Sequence, residues 1–479
     1  MKAYPSIFND VLSPVTPGPS SSNTCGPFRI GKLLRQLLGG TPAGMKIEMA
    51  EKGGYSQTFY GMHSDKAFIG GILGKDLHSY QFNRAYDDAQ KEGMTVEVEF
   101  NDSVSSIPTE LSIITIENSR RRLCISAASL GGGEIFIDRI NGAAVAIDGK
   151  RYYLIVETND QGITCRPSTR PFDQSLIDEV EQDPRVNWYS ITNPVYEILP
   201  VENSRPPFES AAGMLAYVEK KGISLWQAAI DYETSICGLP GEAVWNLCQK
   251  VYDLTIDAIE KGYRVAGFEG VTTPKASKAA DFYTSGRAIP LGMASAAAPE
   301  ALAIMEYSNA HGTIVCMPTG GSSGIIVPAI RNSAMALGLS EADERKALLT
   351  AGLIGTFYYP THYSGDLGCQ AEIGIAVSMA AGALASLMTD DVRTIERAAV
   401  LGAQSLLGLL CDPIDGYVQV PCFIRNMTAV PTAAVCANSA MAGLDTLVSL
   451  DEMAQTILRT GEKLYSINDY GVCYCSKLR

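Results

Sequence analysis

The chain lacks a surplus of positive charge, an apolar run long enough to span a bilayer, and any internal repeat. With 38 Lys and Arg against 52 Asp and Glu its net charge is −14. A surface of that sign does not suit a nucleic-acid or anionic-membrane partner, which needs clustered cations. The one basic run, Arg120-Arg121-Arg122, sits between strand-like stretches and reads as a solvated turn. Met1-Lys2-Ala3-Tyr4-Pro5 leads into Ser- and Pro-rich sequence without the apolar h-region of a secretion signal, so a cytoplasmic location is expected. The most apolar window, Ile373 to Met388, is too short for a span and follows Glu372; it reads as a buried helix rich in Ala and Gly.

What is present is an ordinary globular composition, 46 % apolar and 19 % charged over 479 residues, with room for two or three domains. The expected class is α+β. Residues 1–145 mix helices (Ile30 to Leu38, Asp65 to Leu73) with period-two strands (Met45 to Met49, Met94 to Phe100, Glu134 to Ile137) and form an N-terminal α/β domain. Residues 146–200 read as a small regulatory-like strand–helix–strand module: Tyr152 to Glu157, Gln174 to Glu181, then further strand from Val186 to Leu199. A linker follows over Val201 to Ser210, with two prolines and no periodicity. Residues 211–479 are almost wholly helical, with apolar residues at three- and four-residue spacing and short Gly/Pro/Ser turns between helices.

Twelve cysteines in a long chain without a secretion signal read as thiols or metal ligands rather than as disulfides. Cys124, Cys165, Cys237, Cys248, Cys316 and Cys436 have no ligand-like company and are expected to pack as small apolar fillers. Cys25, Cys369, Cys411, Cys422, Cys473 and Cys475 need another account. Cys369 sits in Gly368-Cys369-Gln370-Ala371-Glu372 where a helix opens; Cys411-Asp412-Pro413 ends one, and Pro421-Cys422 follows a loop. Cys411 and Cys422 stand eleven apart, which is neither zinc-ribbon nor ferredoxin spacing, so spacing alone is equally met by three buried thiols at helix ends. No fourth ligand is close in sequence. Three thiolates on a cubane cluster would leave one iron open, as a Lewis-acid cluster requires.

Two further segments place hydroxyls and glycines where helices stop. Gly18-Pro19-Ser20-Ser21-Ser22-Asn23-Thr24-Cys25-Gly26-Pro27 feeds an amphipathic helix, and Ser/Thr turns at helix starts offer N–H and O–H groups to an anion, as well as serving as plain caps. Pro318-Thr319-Gly320-Gly321-Ser322-Ser323-Gly324 offers hydroxyls and close backbone approach, without the Gly-Lys-Ser/Thr ending of a nucleotide loop.

Taken in order, these segments resemble the iron–sulfur-dependent L-serine dehydratases (L-serine ammonia-lyases). The likeness extends through His63-Ser64-Asp65-Lys66-Ala67, Gly131 to Ile135, Asn309, Ser364-Gly365, Val418 to Cys422 and Arg425-Asn426. It implies a [4Fe-4S] cluster on Cys369, Cys411 and Cys422, no pyridoxal phosphate, and elimination of water from L-serine to give pyruvate and ammonia. It also implies a small amino-acid substrate held at its carboxylate by Ser20, Ser21, Ser22, Thr24, Thr319, Gly320, Ser322 and Ser323, with Arg425 and Asn426 assisting. A homodimer is expected.

The departures from the family are local. Asn23 stands where the family has His, and Asn cannot act as a general base, which leaves His63 as the base candidate. Asn23 is left to hold substrate by hydrogen bonds, and Cys25 is expected to pack as a thiol more than to react. Ile424 replaces a common acidic residue, and Asp415 a small one. The chain ends Gly471-Val472-Cys473-Tyr474-Cys475-Ser476, without the family's Gly-rich ending, and Cys473 or Cys475 could cap the open iron. These changes cluster at substrate contacts, so the alternatives are L-threonine or L-cysteine as substrate (the latter a desulfidase reaction), or a non-catalytic cluster-bearing sensor.

Overall fold

The computed structural model describes residues 4–52, 54–105, 110–199, 201, 204–363, 367–411, 414, 415 and 417–467. The protein is α+β and divides into two compact units, one made of Met1–Ser21 with Asn203–Arg479 and the other of Ser22–Glu202. The first 21 residues therefore belong with the helical part, whereas the sequence placed them in the N-terminal domain. Chain direction hides this, because their partners lie hundreds of residues away. A turn at Ile7–Val11 and strand β1 (Val15–Pro17) carry the segment, and Glu233 accepts the Ile7 N–H at 2.7 Å.

The Ser22–Glu202 unit opens with helix α1 (Cys25–Leu38), strand β2 (Gly44–Met49), helices α2 (Gly54–Thr58), α3 (Ser64–Ile72) and α4 (Ala85–Lys91), and strand β3 (Thr95–Phe100). Strands β4 (Glu110–Glu117), β5 (Arg122–Gly131), β6 (Glu134–Ile140) and β7 (Ala143–Ile147) complete a six-stranded sheet ordered β3-β2-β4-β5-β6-β7. Among its described strands only β2 and β3 pair in parallel, and helices α2 to α4 make the crossover such a pair needs. Alternation puts Met45, Ile47 and Met49 of β2, and Ile114 and Ile116 of β4, into one core with Leu33, Leu34 and Leu37 of α1.

The expected small module contains β8 (Tyr152–Thr158), β9 (Gly162–Ser168), α5 (Gln174–Gln182) and β10 (Val186–Thr192), in a sheet ordered β10-β8-β9. It does not stand apart. Tyr153, Ile155 and Tyr196 enter the same core as the six-stranded sheet, and Ser190 Oγ donates to Leu37 O at 2.6 Å. Strand β9 was unexpected, and the strand expected to Leu199 stops at Thr192, just before Asn193-Pro194. Arg121, expected to be solvated, instead donates to Leu38 O at 3.2 Å and lies over the Trp188 ring.

The rest of the helical unit runs through α6 (Ala211–Lys221), α7 (Leu225–Cys237), α8 (Gly241–Gly262), α9 (Ala276–Thr284) and α10 (Ala294–Asn309) to β11 (Thr313–Val315), which pairs with β1. Helices α11 (Ile326–Leu337), α12 (Glu341–Thr356), α13 (Ile373–Ser386), α14 (Val392–Ser405), α15 (Gln419–Met441) and α16 (Leu450–Ile467) follow. Ser and Asp caps start several of them: Ser340 with Asp343 at α12, and Asp391 at α14. Helix α13 lies at the centre, packed by α11, α12, α14 and α15. Ile373 to Met388 is expected from sequence to be too short for a span; with the turn before it, the 18-residue window Cys369–Ser386 is long and apolar enough to cross a membrane, but 89 % of it is buried inside the protein, as a core helix would be.

Candidate active site

The helical unit brings together segments that are far apart in sequence. Three of them begin with a cis X-Pro bond: Gly18-Pro19 before the serine turn, Met317-Pro318 before the threonine–glycine loop, and Val420-Pro421 before Cys422. A Cβ on Gly320 would come within 2.8 Å of Pro19 O, 3.2 Å of Ser21 N and 3.3 Å of Ser20 Cα. Glycine is thus required for the two hydroxyl-bearing loops to lie backbone to backbone. His311, unmatched in sequence, puts Nδ1 3.3 Å from Gly18 O.

The threonine–glycine loop is held from inside and from α15. Ser322 Oγ donates to Met317 O at 3.0 Å and Ser323 Oγ to Gly320 O at 3.0 Å, and both side chains are buried. Asn426 is fully buried; its Oδ1 accepts from Gly324 N at 3.1 Å, and its Nδ2 donates to Gly321 O at 2.8 Å and Cys422 O at 2.9 Å. Its amide is therefore spent on fixing the loop against the turn of α15 that carries Cys422. Asn309 similarly donates to Met305 O at 2.9 Å, within its own helix.

Glu372 links this loop to the cysteines. Burial pushes its carboxyl up, partly offset by a hydrogen bond with Thr319 and by the Arg425 charge. It follows the short turn Cys369–Ala371 and directly precedes the apolar helix α13. Cys369 and Cys422 are buried and Cys411 is half-buried. A hydrogen bond with Cys369, then burial, drives the Cys411 thiol well above its ordinary range; burial, then the charges of Cys369 and Glu372, does the same to Cys422. Arg425 Nη1 donates to Cys369 Sγ at 3.1 Å and to Leu410 O at 2.8 Å.

This donor set fits a multi-iron cluster. Three thiols from separate segments converge beside the Arg425 guanidinium, and thiolates are the ligands that iron–sulfur clusters take. Among the described residues no three His, Cys, Asp or Glu side chains close tightly enough around one point to hold a single metal ion. Asp412, Pro413, Ser364, Gly365, Cys473 and Cys475 lie outside the described residues.

The Ser22–Glu202 unit carries the remaining candidates. Asn23 is buried; its Nδ2 donates to Ser64 Oγ at 3.1 Å and Thr58 Oγ1 at 3.4 Å, while Ser22 Oγ donates to its Oδ1 at 3.3 Å. Asn23 thus ties the start of α1 to the start of α3. His63 precedes α3 with φ 62°, is buried, and has Lys66 Nζ 2.7 Å from Nδ1. When Lys66 is charged it donates to Nδ1, and the ring proton falls on Nε2. Thr24 and Cys25 are fully buried at the start of α1, and burial pushes the Cys25 thiol up, away from thiolate.

Sequence reasoning passed over Glu372 and Lys66, and Arg425 and Asn426 have partners it did not foresee. The available signal was an acidic residue directly before the most apolar helix of the chain.

The chain is similar in sequence to known proteins. The family model of the serine dehydratase alpha chain matches residues 220–467, just over half of the chain, and that of the beta chain matches residues 6–123. L-serine dehydratase 1 of Escherichia coli is 27 % identical over 461 residues, covering 93 % of each chain. The L-serine dehydratase of Streptomyces coelicolor is 42 % identical over 166 residues, which span 34 % of the present chain and only 36 % of that relative's length. The L-serine dehydratase alpha chain of Peptoniphilus asaccharolyticus is 33 % identical over 191 residues, or 65 % of its length.

Proposed function

The chain belongs to the serine dehydratase family, with beta- and alpha-chain parts in one polypeptide, and from that we propose an L-serine ammonia-lyase dependent on a [4Fe-4S] cluster held by Cys369, Cys411 and Cys422. The observation that carries this reading is a continuous network within the helical unit. It runs from Ser20 and Ser21 through Gly320 and Thr319 to Glu372, and on to the three cysteines and Arg425.

When bound, such a cluster supplies an open iron that polarises the β-carbon–oxygen bond of the substrate. The backbone of the Ser20-Ser21 turn and the hydroxyl of Thr319 orient the substrate carboxylate. Ser322, Ser323 and Asn426 keep the loop rigid, so its geometry is set before substrate arrives. His63 is the proposed base, able to accept the α-proton once Lys66 no longer occupies Nδ1. Loss of the α-proton and of hydroxide gives an enamine; tautomerisation and hydrolysis release pyruvate and ammonia, so the sum is L-serine to pyruvate plus ammonia. A cluster with an open iron needs a reducing compartment, consistent with a cytoplasmic enzyme.

Asn23, where the family has His, favours a second reading in which the same elimination acts on L-threonine or L-cysteine. Anaerobically reconstituted protein should release keto acid from L-serine faster than from L-threonine or L-cysteine. Turnover of another compound without turnover of L-serine would replace the serine assignment; no turnover of any would leave a cluster-bearing sensor.

A further inference from the structure

Arg425 is expected from sequence to contact the substrate carboxylate, yet its guanidinium is turned onto the cysteines. Nη1 donates to Cys369 Sγ at 3.1 Å and also to Leu410 O, the carbonyl next to Cys411, at 2.8 Å. Arg425 lies three residues after Cys422, about one turn along α15. One side chain therefore reaches all three ligand-bearing segments. Within 4 Å no carboxylate of the described residues pairs with it. It is the cation acting on both Cys422 and Glu372.

We propose that Arg425 is a positioning residue for the cluster: a cationic clasp that fixes the Cys369 and Cys411 segments relative to α15 and withdraws electron density from the Cys369 sulfur. The proposal rests on the iron–sulfur reading above and assigns Arg425 a task other than substrate binding. Three thiolates beside a buried carboxyl repel one another, and a guanidinium among them offsets that repulsion. An N–H donor on a ligating sulfur stabilises the more negative, reduced state, so it raises the reduction potential. Groups that orient metal ligands in this way also slow metal loss. A lysine retains the charge, but its hydrated ammonium on a flexible stem lacks the fixed planar geometry by which Nη1 aims its two N–H bonds at a sulfur and a carbonyl.

The test compares wild type, R425K and R425Q after anaerobic reconstitution. Iron and sulfide content, reduction potential, cluster loss to a chelator, and KM and kcat for L-serine are all measured. R425Q is expected to lose its cluster about tenfold faster and to have a more negative potential, with KM changed less than twofold. R425K is expected to recover most of the potential but little of the cluster lifetime. Circular dichroism of the metal-free variants identifies a folding failure, in which case R425K alone carries the comparison. An unchanged potential and lifetime in R425Q with KM raised tenfold or more would make Arg425 a substrate receptor and overturn the proposal. Wild type that takes up neither iron nor sulfide would overturn the underlying reading, and the proposal with it.

Discussion

Glu233 shows how one buried side chain can make stability depend on pH. It is fully buried on α7 and receives the N–H groups of Ile7 at 2.7 Å and Phe8 at 3.5 Å, together with the Ser6 hydroxyl. Burial outweighs these donors and pushes its carboxyl up to about 7, from an ordinary 4.5. A carboxyl that holds its proton more tightly when folded stabilises the fold fully below pH ~4.5 and loses that contribution as pH rises through about 7. The shift corresponds to on the order of 3 kcal/mol. E233Q should therefore flatten the fall in stability between pH 5 and 8 relative to wild type. It should also be the less stable protein at pH 5, where glutamine's NH2 faces the Ile7 N–H. Urea unfolding at a series of pH values measures both effects. Asn426 acts at the same scale without titrating: its amide satisfies three backbone groups across two segments, a role invisible in sequence because Gly321 and Gly324 are about a hundred residues away.

At the scale of elements, the legible parts were those with local periodicity. Helix α13 could be read from Ile373 to Met388 because an apolar run broken only by Ser378 and Ser386 needs no partner to be recognised. Strand β9 could not, because its burial alternates between half-buried and exposed, it contains Pro167, and it lies at the edge of its sheet. The cysteines were legible as residues and in their order among motifs, while their convergence with Glu372 and Arg425 depends on packing between α13 and α15. The contact of the Ser20-Ser21 turn with Gly320 was likewise hidden, although the glycine itself was noted. In G320A the new methyl would meet backbone atoms of Pro19, Ser20 and Ser21, which cannot rotate aside. The two loops must separate, and displacements of about 1 Å at such a site cost on the order of a hundredfold in rate. G320A should thus lose about that much kcat/KM for L-serine while retaining wild-type iron and sulfide content.

At the scale of the whole molecule, the helical unit is assembled from both ends of the sequence, with the Ser22–Glu202 unit inserted between them. Residues 6–12 are part of its core. Ile7, Phe8, Val11 and Leu12 are buried, and α12 receives them in a notch made by two glycines one turn apart. A Cβ on Gly352 would meet Ile7 Cγ2 at 2.5 Å, and one on Gly355 would meet Val11 Cγ1 at 2.3 Å. Removing residues 1–12 would empty that notch and leave Glu233 buried without its donors. The cavity and the lost hydrogen bonds together should cost the helical unit on the order of 5 kcal/mol. The Ser22–Glu202 unit has its own core of α1, α3 and the sheets, and none of the described side chains of residues 4–12 belongs to it. Differential scanning calorimetry of the truncated chain should therefore show the helical unit melting in an earlier, separate transition. Hydrogen exchange should show protection lost in α7 and α12 first, while β4, β5 and α1 remain protected to the temperature at which they open in the full chain.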